Sequence, residues 1–413
     1  MKTIVALGLC LAAACGSGSS GPDAIGGGDD GGGDDGGGGG DDGGGGDGGG
    51  GDGGGGDGGG GDDGGGGVDA AIDAPSTTGG PMLGGCPLLP GDHVFNSAID
   101  ALPVHPQSDA FIATIGPTRR LHLDLGTETD QQDPEFYGVP WNLVHGNTFT
   151  WPTVRYFSAD PDLDWNTRAE SDCASGAGHT FVQPCTAAAP LLPIPANAIV
   201  EGGINASADQ QPYGDHHVLV LDQDTCWLWE GYHVYAPTPG TWNIYGSAAF
   251  DLRSNALRPA GWSSADAAGF PMLPLLLRAD EASTGTIAHA LRFTIGSNKI
   301  RTSYVWPARH LTSNGTASTS LPPMGQLFRL KASFAIPASH TTQAKAILQA
   351  MKTYGMYIAD GGSDMYVTGD PSAAWDDATF SQVQAIAASN FEAVDLSTVM
   401  SRPGFDVNTG RMP

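Results

Sequence analysis

Between Gly16 and about Gly67 the chain is almost nothing but glycine and aspartate. Glycine has the most backbone entropy to lose on folding, and this stretch has nothing apolar to bury in return, so it cannot order itself. Residues 16–80 hold fourteen aspartates and no glutamate, lysine or arginine. A Gly-rich linker spans about 5–6 Å times the square root of its length, which gives this one a reach of roughly 40–50 Å, and repulsion among the aspartates lengthens it. The Gly-Gly-Gly-Asp pattern does not make a calcium-binding β-roll, whose repeats carry an apolar residue every turn. The chain therefore divides into a disordered, solvated spacer and a body, 81–413, long enough for one large domain. The soft seam in that body is Ala187 to Ala196, AAAPLLPIPA, and the few residues after it to about 200. Its prolines predict an extended crossing segment.

Ahead of the spacer stand Met1-Lys2, an apolar run from Ile4 to Leu11, three alanines and Cys15. A charged start, a short apolar stretch and small residues make up the layout of a secretory signal. The apolar run falls well short of the ~20 residues that span a bilayer. Its ending at a cysteine resembles the lipobox of bacterial lipoproteins. That resemblance implies that residues 1–14 are removed, that Cys15 is acylated, and that the body hangs from the lipid bilayer on its spacer. Two or three acyl chains would hold it firmly, since each buried methylene contributes ~0.8 kcal/mol. Gly16, standing where aspartate would signal inner-membrane retention, implies the outer membrane if the source is Gram-negative. An ordinary signal cleaved near Ala14 is the alternative.

Of the 45 acids, 14 lie in the spacer, leaving 31 against 17 bases once Lys2 is set aside, so the body keeps a net charge near −14. Such a surface disfavours nucleic acid and anionic lipid as partners. It also disfavours strongly anionic polysaccharide, unless a local patch such as Arg119-Arg120 or Arg301 with Arg309 intervenes. Cys86, Cys173, Cys185 and Cys226 form an even set in an exported chain, which reads as two disulfides. Of three pairings, Cys173–Cys185 closes a short Gly/Ser-rich loop and Cys86–Cys226 ties the N-terminal segment to the body. No C-x-x-C or H-x3-H spacing suggests zinc.

Short runs rich in branched and aromatic residues dominate the body: from Val154, His217, Thr225, His289, Arg301 and Phe328. Ala344, Ile347, Leu348 and Met351 fall at helical spacing, with Thr341 or Thr342 able to cap and Gly355 positioned to terminate. Phe380, Val383, Ile386 and Ala387 make a second stripe opened by Asp376-Asp377. Between them Met356 to Asp360, a Gly-Gly-Ser-Asp turn and Met365 to Thr368 read as a hairpin. The expected fold is mainly β, a sandwich or open barrel with a few peripheral helices near the C-terminus. The stretches Phe250 to Gly269, His289 to Thr294 and Tyr304 to His310 resemble a family of secreted bacterial proteins to which no activity is attached. That resemblance covers most of Cys86 to Met400 and implies export without implying chemistry.

One hairpin, Asp215 to Tyr235, carries the best site argument. If Asp222 pairs with Thr225 across the turn, His217 faces Glu230; a one-residue shift puts His216 there instead. Either way a histidine meets a carboxylate with Cβ atoms about 5 Å apart. Partial burial would raise the carboxyl pKa and suit Glu230 to general acid work. Trp227 and Trp229 share the opposite face, a stacking platform for sugar rings if exposed and plain core if covered.

A second candidate is the polar stretch from Phe250 to Ala268, with Asp251, Arg253, Ser254, Asn255, Arg258, Trp262, Ser263, Ser264 and Asp266. Loops this polar on a rigid β scaffold tend to bind or catalyse. The third is Arg309-His310 past a strand end, an anion clamp beside a proton carrier. Asp160, Asp162 and Asp164 give D-x-D-x-D, but Pro161 and Trp165 break the calcium-loop pattern. Asp360 to Asp364 reads as a turn. Calcium is the one cofactor left open; there is no phosphate loop and no HExxH.

Together these features predict a surface-tethered, monomeric carbohydrate-active enzyme, a glycoside hydrolase or polysaccharide lyase. Glu230 would be the acid and Asp251 or Asp266 the base or nucleophile, with His217 beside them. Arg253, Asn255, Trp262, Trp227, Trp229 and Arg309 would hold polysaccharide, and in a lyase His310 and Arg309 would take base and charge-neutralising roles. The alternative is a non-catalytic lipoprotein that binds glycan, peptidoglycan or a protein through an exposed aromatic face.

Overall fold

A computed structural model describes residues 79–157, 169–203 and 215–413. Cys15, the Gly/Asp spacer and the Asp160-Asp162-Asp164 run lie outside the described residues. The body is mainly β, as expected. Its strands form one sheet of six, one of four and four ladders of two, and none of these closes into a barrel.

The four-strand sheet runs in the order Gly246–Asp251, Trp227–Tyr232, Val218–Asp222, Trp141–Val144. The first three are antiparallel neighbours and the fourth joins in parallel. Every residue of Val218–Asp222 is buried, because the sheet has core on both faces. Leu219, Leu221, Leu228, Tyr232 and Phe250 pack into the main core. Val218, Val220, Trp229 and Ala249 pack into a second one with Val154, Leu192, Ile194, Trp242 and Ile244. A strand buried on both faces loses its polar alternation, and V-L-V-L is the result. The proline-rich seam forms no helix or strand of its own. Leu191 bridges to Thr153 and Ala174, and Leu192, Ile194, Ala198 and Val200 cover the sheet.

The six-strand sheet runs Phe391–Ala393, Leu327–Leu330, Met356–Gly361, Leu291–Ile295, Tyr366–Thr368, His122–Asp124. Here the expected hairpin is corrected. Met356–Gly361 and Tyr366–Thr368 do not pair, because Leu291–Ile295 lies between them, parallel to the first and antiparallel to the second. The Gly-Gly-Ser-Asp turn wraps the end of that central strand. Gly362 N–H donates to the Ile295 carbonyl at 2.8 Å, and the Asp364 carboxylate accepts from Gly296 N–H at 3.0 Å.

The helix Thr342–Thr353 buries Ala344, Ile347, Leu348 and Met351, and the Thr341 hydroxyl caps it by accepting from Ala344 N–H at 3.0 Å. Asp376 caps Asp377–Gln384 in the same way, through Ala378 N–H. The helices are not confined to the C-terminal region: Ser108–Ile115 comes early and packs on Phe391–Ala393. Both disulfides form with the expected partners, Cys86–Cys226 and Cys173–Cys185. No helix among the described residues is long and apolar enough to cross a membrane.

Candidate functional site

The register of the central hairpin differs from both readings of the sequence. Asp222 pairs with Trp227, so Leu219 faces Glu230 and His217 falls level with Tyr232. The turn is longer because Asp222 organises it. Its carboxylate accepts from the N–H groups of Gly146 and Asp224 and from the Thr225 hydroxyl, and Cys226 takes a left-handed φ of 56°. A two-residue slip preserves the faces, so His217 and Glu230 still share one.

His217 directly precedes the strand Val218–Asp222 and is clasped by Glu201. Glu201 N–H donates to the His217 carbonyl at 3.0 Å, and the Glu201 carboxylate accepts from His217 N–H at 3.1 Å and from Nδ1 at 2.6 Å. The other ring nitrogen, Nε2, meets the Ala265 carbonyl at 2.9 Å. With both ring nitrogens facing acceptors, the imidazolium is the favoured form. Burial alone would lower the His217 pKa; the charge and hydrogen bond of Glu201 outweigh it and raise the value to about 9. Glu201 moves the other way. Burial pushes its carboxyl up, but His217 and Arg292 hold it below the ordinary glutamate value.

These two residues line a cleft of about 270 Å³ with Asp124, Asp215, Arg292 and Asp360. Arg292 comes from the central strand of the six-strand sheet. Its Nε and Nη2 bind the two oxygens of Asp266 at 3.0 and 2.9 Å, and Nη1 binds Thr368. Asp360 is next to last in the strand Met356–Gly361, accepting from Gly361 N–H at 2.6 Å and from Ala267 N–H at 3.4 Å. Burial raises its pKa well above the ordinary aspartate value, and the nearby charges of Asp266 and Asp215 add to this. Asp124 accepts from the Tyr137 hydroxyl; burial raises its pKa, and Glu201 adds to the rise. Tyr366 stacks on His122 at 4.0 Å, and it and half-exposed Tyr137 give the cleft aromatic walls. Among the described residues no group of three or more His, Cys, Asp or Glu side chains is arranged to hold a metal ion.

Of the residues singled out by sequence, His217 lines this cleft, and Asp266 reaches it through Arg292. Glu230 does not line it. It is 1 % exposed, with Oε1 accepting from Met272 and Leu273 N–H at 2.7 and 3.1 Å. Burial pushes its pKa up to about 8, against the pull of those two amides. The stretch 250–268 is not a wholly solvated loop, because Asn255, Arg258, Ser263, Ser264 and Asp266 are buried. Arg258 is ion-paired with Asp172, both buried, and Ser264 donates to the Phe270 carbonyl. Asp251 and Arg253 pair at the surface. Asn255 holds Asp92 at 3.0 Å, and Trp262 lies 5.6 Å from the Arg258 guanidinium.

Arg309, 4 % exposed, uses its donors on the carbonyls of Arg258 and Val407 and on Asn408. His310 Nδ1 meets the Ala267 carbonyl. Trp229 is buried and Trp227 half-buried against Phe181, so the tryptophan strip is not an open platform. The backbone of 265–267 thus ties together His217, Asp360 and His310. Glu201, Asp124, Asp215, Arg292 and Asp360 were missed. The available signal was Arg292, a lone cation between Leu291 and Phe293 in an apolar strand. No protein-family model, curated protein or solved structure matches the chain.

Proposed function

We propose that this cleft is the active site of a glycoside hydrolase acting outside the cell. The observation that carries the reading is that two carboxyls in opposite surroundings line one cleft, Glu201 clasped by His217 and Asp360 partly buried against the backbone of Ala267 and Gly361. The proton affinity of Asp360 is raised and that of Glu201 lowered, the division of labour that acid–base hydrolysis of a glycosidic bond requires. Asp360 is the general acid that protonates the leaving oxygen, and Glu201 is the ionised base or nucleophile. His217 and Arg292 keep the second carboxylate charged and fix its position. Tyr366 and Tyr137 offer flat faces to a sugar ring, and the remaining carboxylates accept from its hydroxyls.

The two disulfides agree with an oxidising, extracellular setting. Acylation of Cys15 would keep the enzyme at the cell envelope, with the spacer giving it reach over polysaccharide or peptidoglycan. The test is a screen of neutral and amino-sugar polysaccharides with the full chain, followed by Asp360→Asn and Glu201→Gln on any substrate turned over. Loss of turnover with retained binding supports the roles. Binding without turnover by the parent chain would replace the enzyme reading with that of a glycan-binding lipoprotein.

A further inference from the structure

The sequence marks Arg301 as a local cation on an acidic chain, and the acid cleft does not use it. It lines a second cleft, of about 340 Å³, whose walls also carry His105, Tyr304, Asp395, Leu396 and Met400. Arg301 opens the strand Arg301–Tyr304. Its Nε donates to the carbonyls of Ser318 and Leu321 at 3.1 and 3.0 Å, and Nη2 donates to that of Thr319 at 2.9 Å. One edge of the guanidinium is therefore held by the 318–321 loop, while Nη1 makes no hydrogen bond among the described residues. The guanidinium carbon lies 5.8 Å from the Phe111 ring, and the His105 ring stacks on the same Phe111 at 5.0 Å. Phe111 is fully buried in the helix Ser108–Ile115, so one rigid ring positions both donors.

His105 Nδ1 accepts from Gln107 N–H at 3.0 Å, which leaves Nε2 to carry the ring proton. Burial holds the His105 pKa below its ordinary value, Asp395 opposes this and Arg301 reinforces it, so the ring is a neutral donor at neutral pH. Asp395 supplies the opposite chemistry. Its Oδ1 accepts from Ser397 N–H at 2.9 Å, and Oδ2 makes no hydrogen bond among the described residues. Arg301 and Asp395 share the cleft, yet neither forms an ion pair with the other or with any other described residue. Two opposite charges, each only partly satisfied and held apart beside Leu396 and Met400, are complementary to a molecule that carries both charges and an apolar side chain.

We propose that this second cleft binds a small zwitterion, an apolar α-amino acid or short peptide. Its carboxylate lies on Arg301 and His105, its ammonium on Asp395 and its side chain against Leu396 and Met400. The site is independent of the hydrolase reading. Calorimetric titration of the full chain with L-leucine and with leucyl-leucine, beside the N-acetyl and C-terminal amide forms of each, is the direct test. At least one zwitterion is expected to bind, and removing either charge is expected to weaken it tenfold or more. The tighter parent identifies the source as free amino acid or peptide. Arg301→Gln is expected to abolish the difference between acid and amide, and Asp395→Asn the difference between amine and N-acetyl. The comparison on the unaltered chain needs no variant to fold. If neither zwitterion binds, or a derivative lacking one charge binds as tightly as its parent, the proposal is overturned.

Discussion

Asp360 and Glu201 differ in surroundings more than in chemistry. Asp360 sits in the field of Asp266 and Asp215, whereas Glu201 is clasped by a histidine whose two ring nitrogens both face acceptors. If both act, the pH profile of kcat/KM has a fixed sign on each side. The rate rises as Glu201 ionises, below the ordinary glutamate value, and falls as Asp360 loses its proton, well above the ordinary aspartate value. Replacing either with its amide is expected to cost about 10²–10⁴ in rate. Glu230 makes a contrasting prediction. Its folded pKa near 8 exceeds the unfolded value, so its contribution to stability is complete below pH 4.5 and is lost as pH rises through 8. Glu230→Gln mimics the protonated form. It is expected to remove a pH dependence of stability on the order of a few kcal/mol between pH 4.5 and 8, seen as a flatter melting temperature, and to leave turnover in place. Thermal melts across that range check it. The sequence marked His217 because the expected hairpin register set it opposite Glu230; the register differs, yet His217 still lines the cleft. Asp360 was hidden because Asp-Gly-Gly-Ser-Asp reads as turn chemistry, and the run is also a turn.

Elements were legible where local chemistry dictates them. Thr341, Asp376 and the apolar spacing of the two helices are decided within a few residues; the first helix forms as read, and the second forms from its Asp376 cap but ends at Gln384, short of Ile386 and Ala387. Pairing is decided at a distance. Nothing near Met356 or Tyr366 reveals that Leu291–Ile295 inserts between them, and the slip in the hairpin register comes from Gly146, distant in sequence, binding Asp222. The disulfides allow a quantitative test at this scale. Cys86–Cys226 closes a loop of sequence separation 140 and Cys173–Cys185 one of 12. By loop entropy the first contributes about 5 kcal/mol and the second about 3 kcal/mol. Denaturant unfolding of the two paired Cys→Ala variants is expected to show the larger loss for Cys86–Cys226. Equal losses would mean that the denatured chain is already restricted near Cys86.

At the scale of the molecule, a mainly β body was legible in composition, since short runs rich in branched and aromatic residues favour strands. What composition does not carry is a cleft, because its carboxyls come from residues as far apart as Asp124 and Asp360. If Cys15 is the acylated residue, Cys15→Ser is expected to move the protein from the membrane fraction to the soluble exported fraction, while an unchanged distribution would exclude the lipobox. The central claim concerns the cleft, and its most direct test is reducing-sugar release from a polysaccharide panel by the full chain, with Asp360→Asn and Glu201→Gln alongside. The expected result is turnover of at least one polysaccharide that either substitution cuts by about 10²–10⁴ while both variants remain folded. Turnover that survives both substitutions undiminished would contradict the assignment of this cleft as the active site.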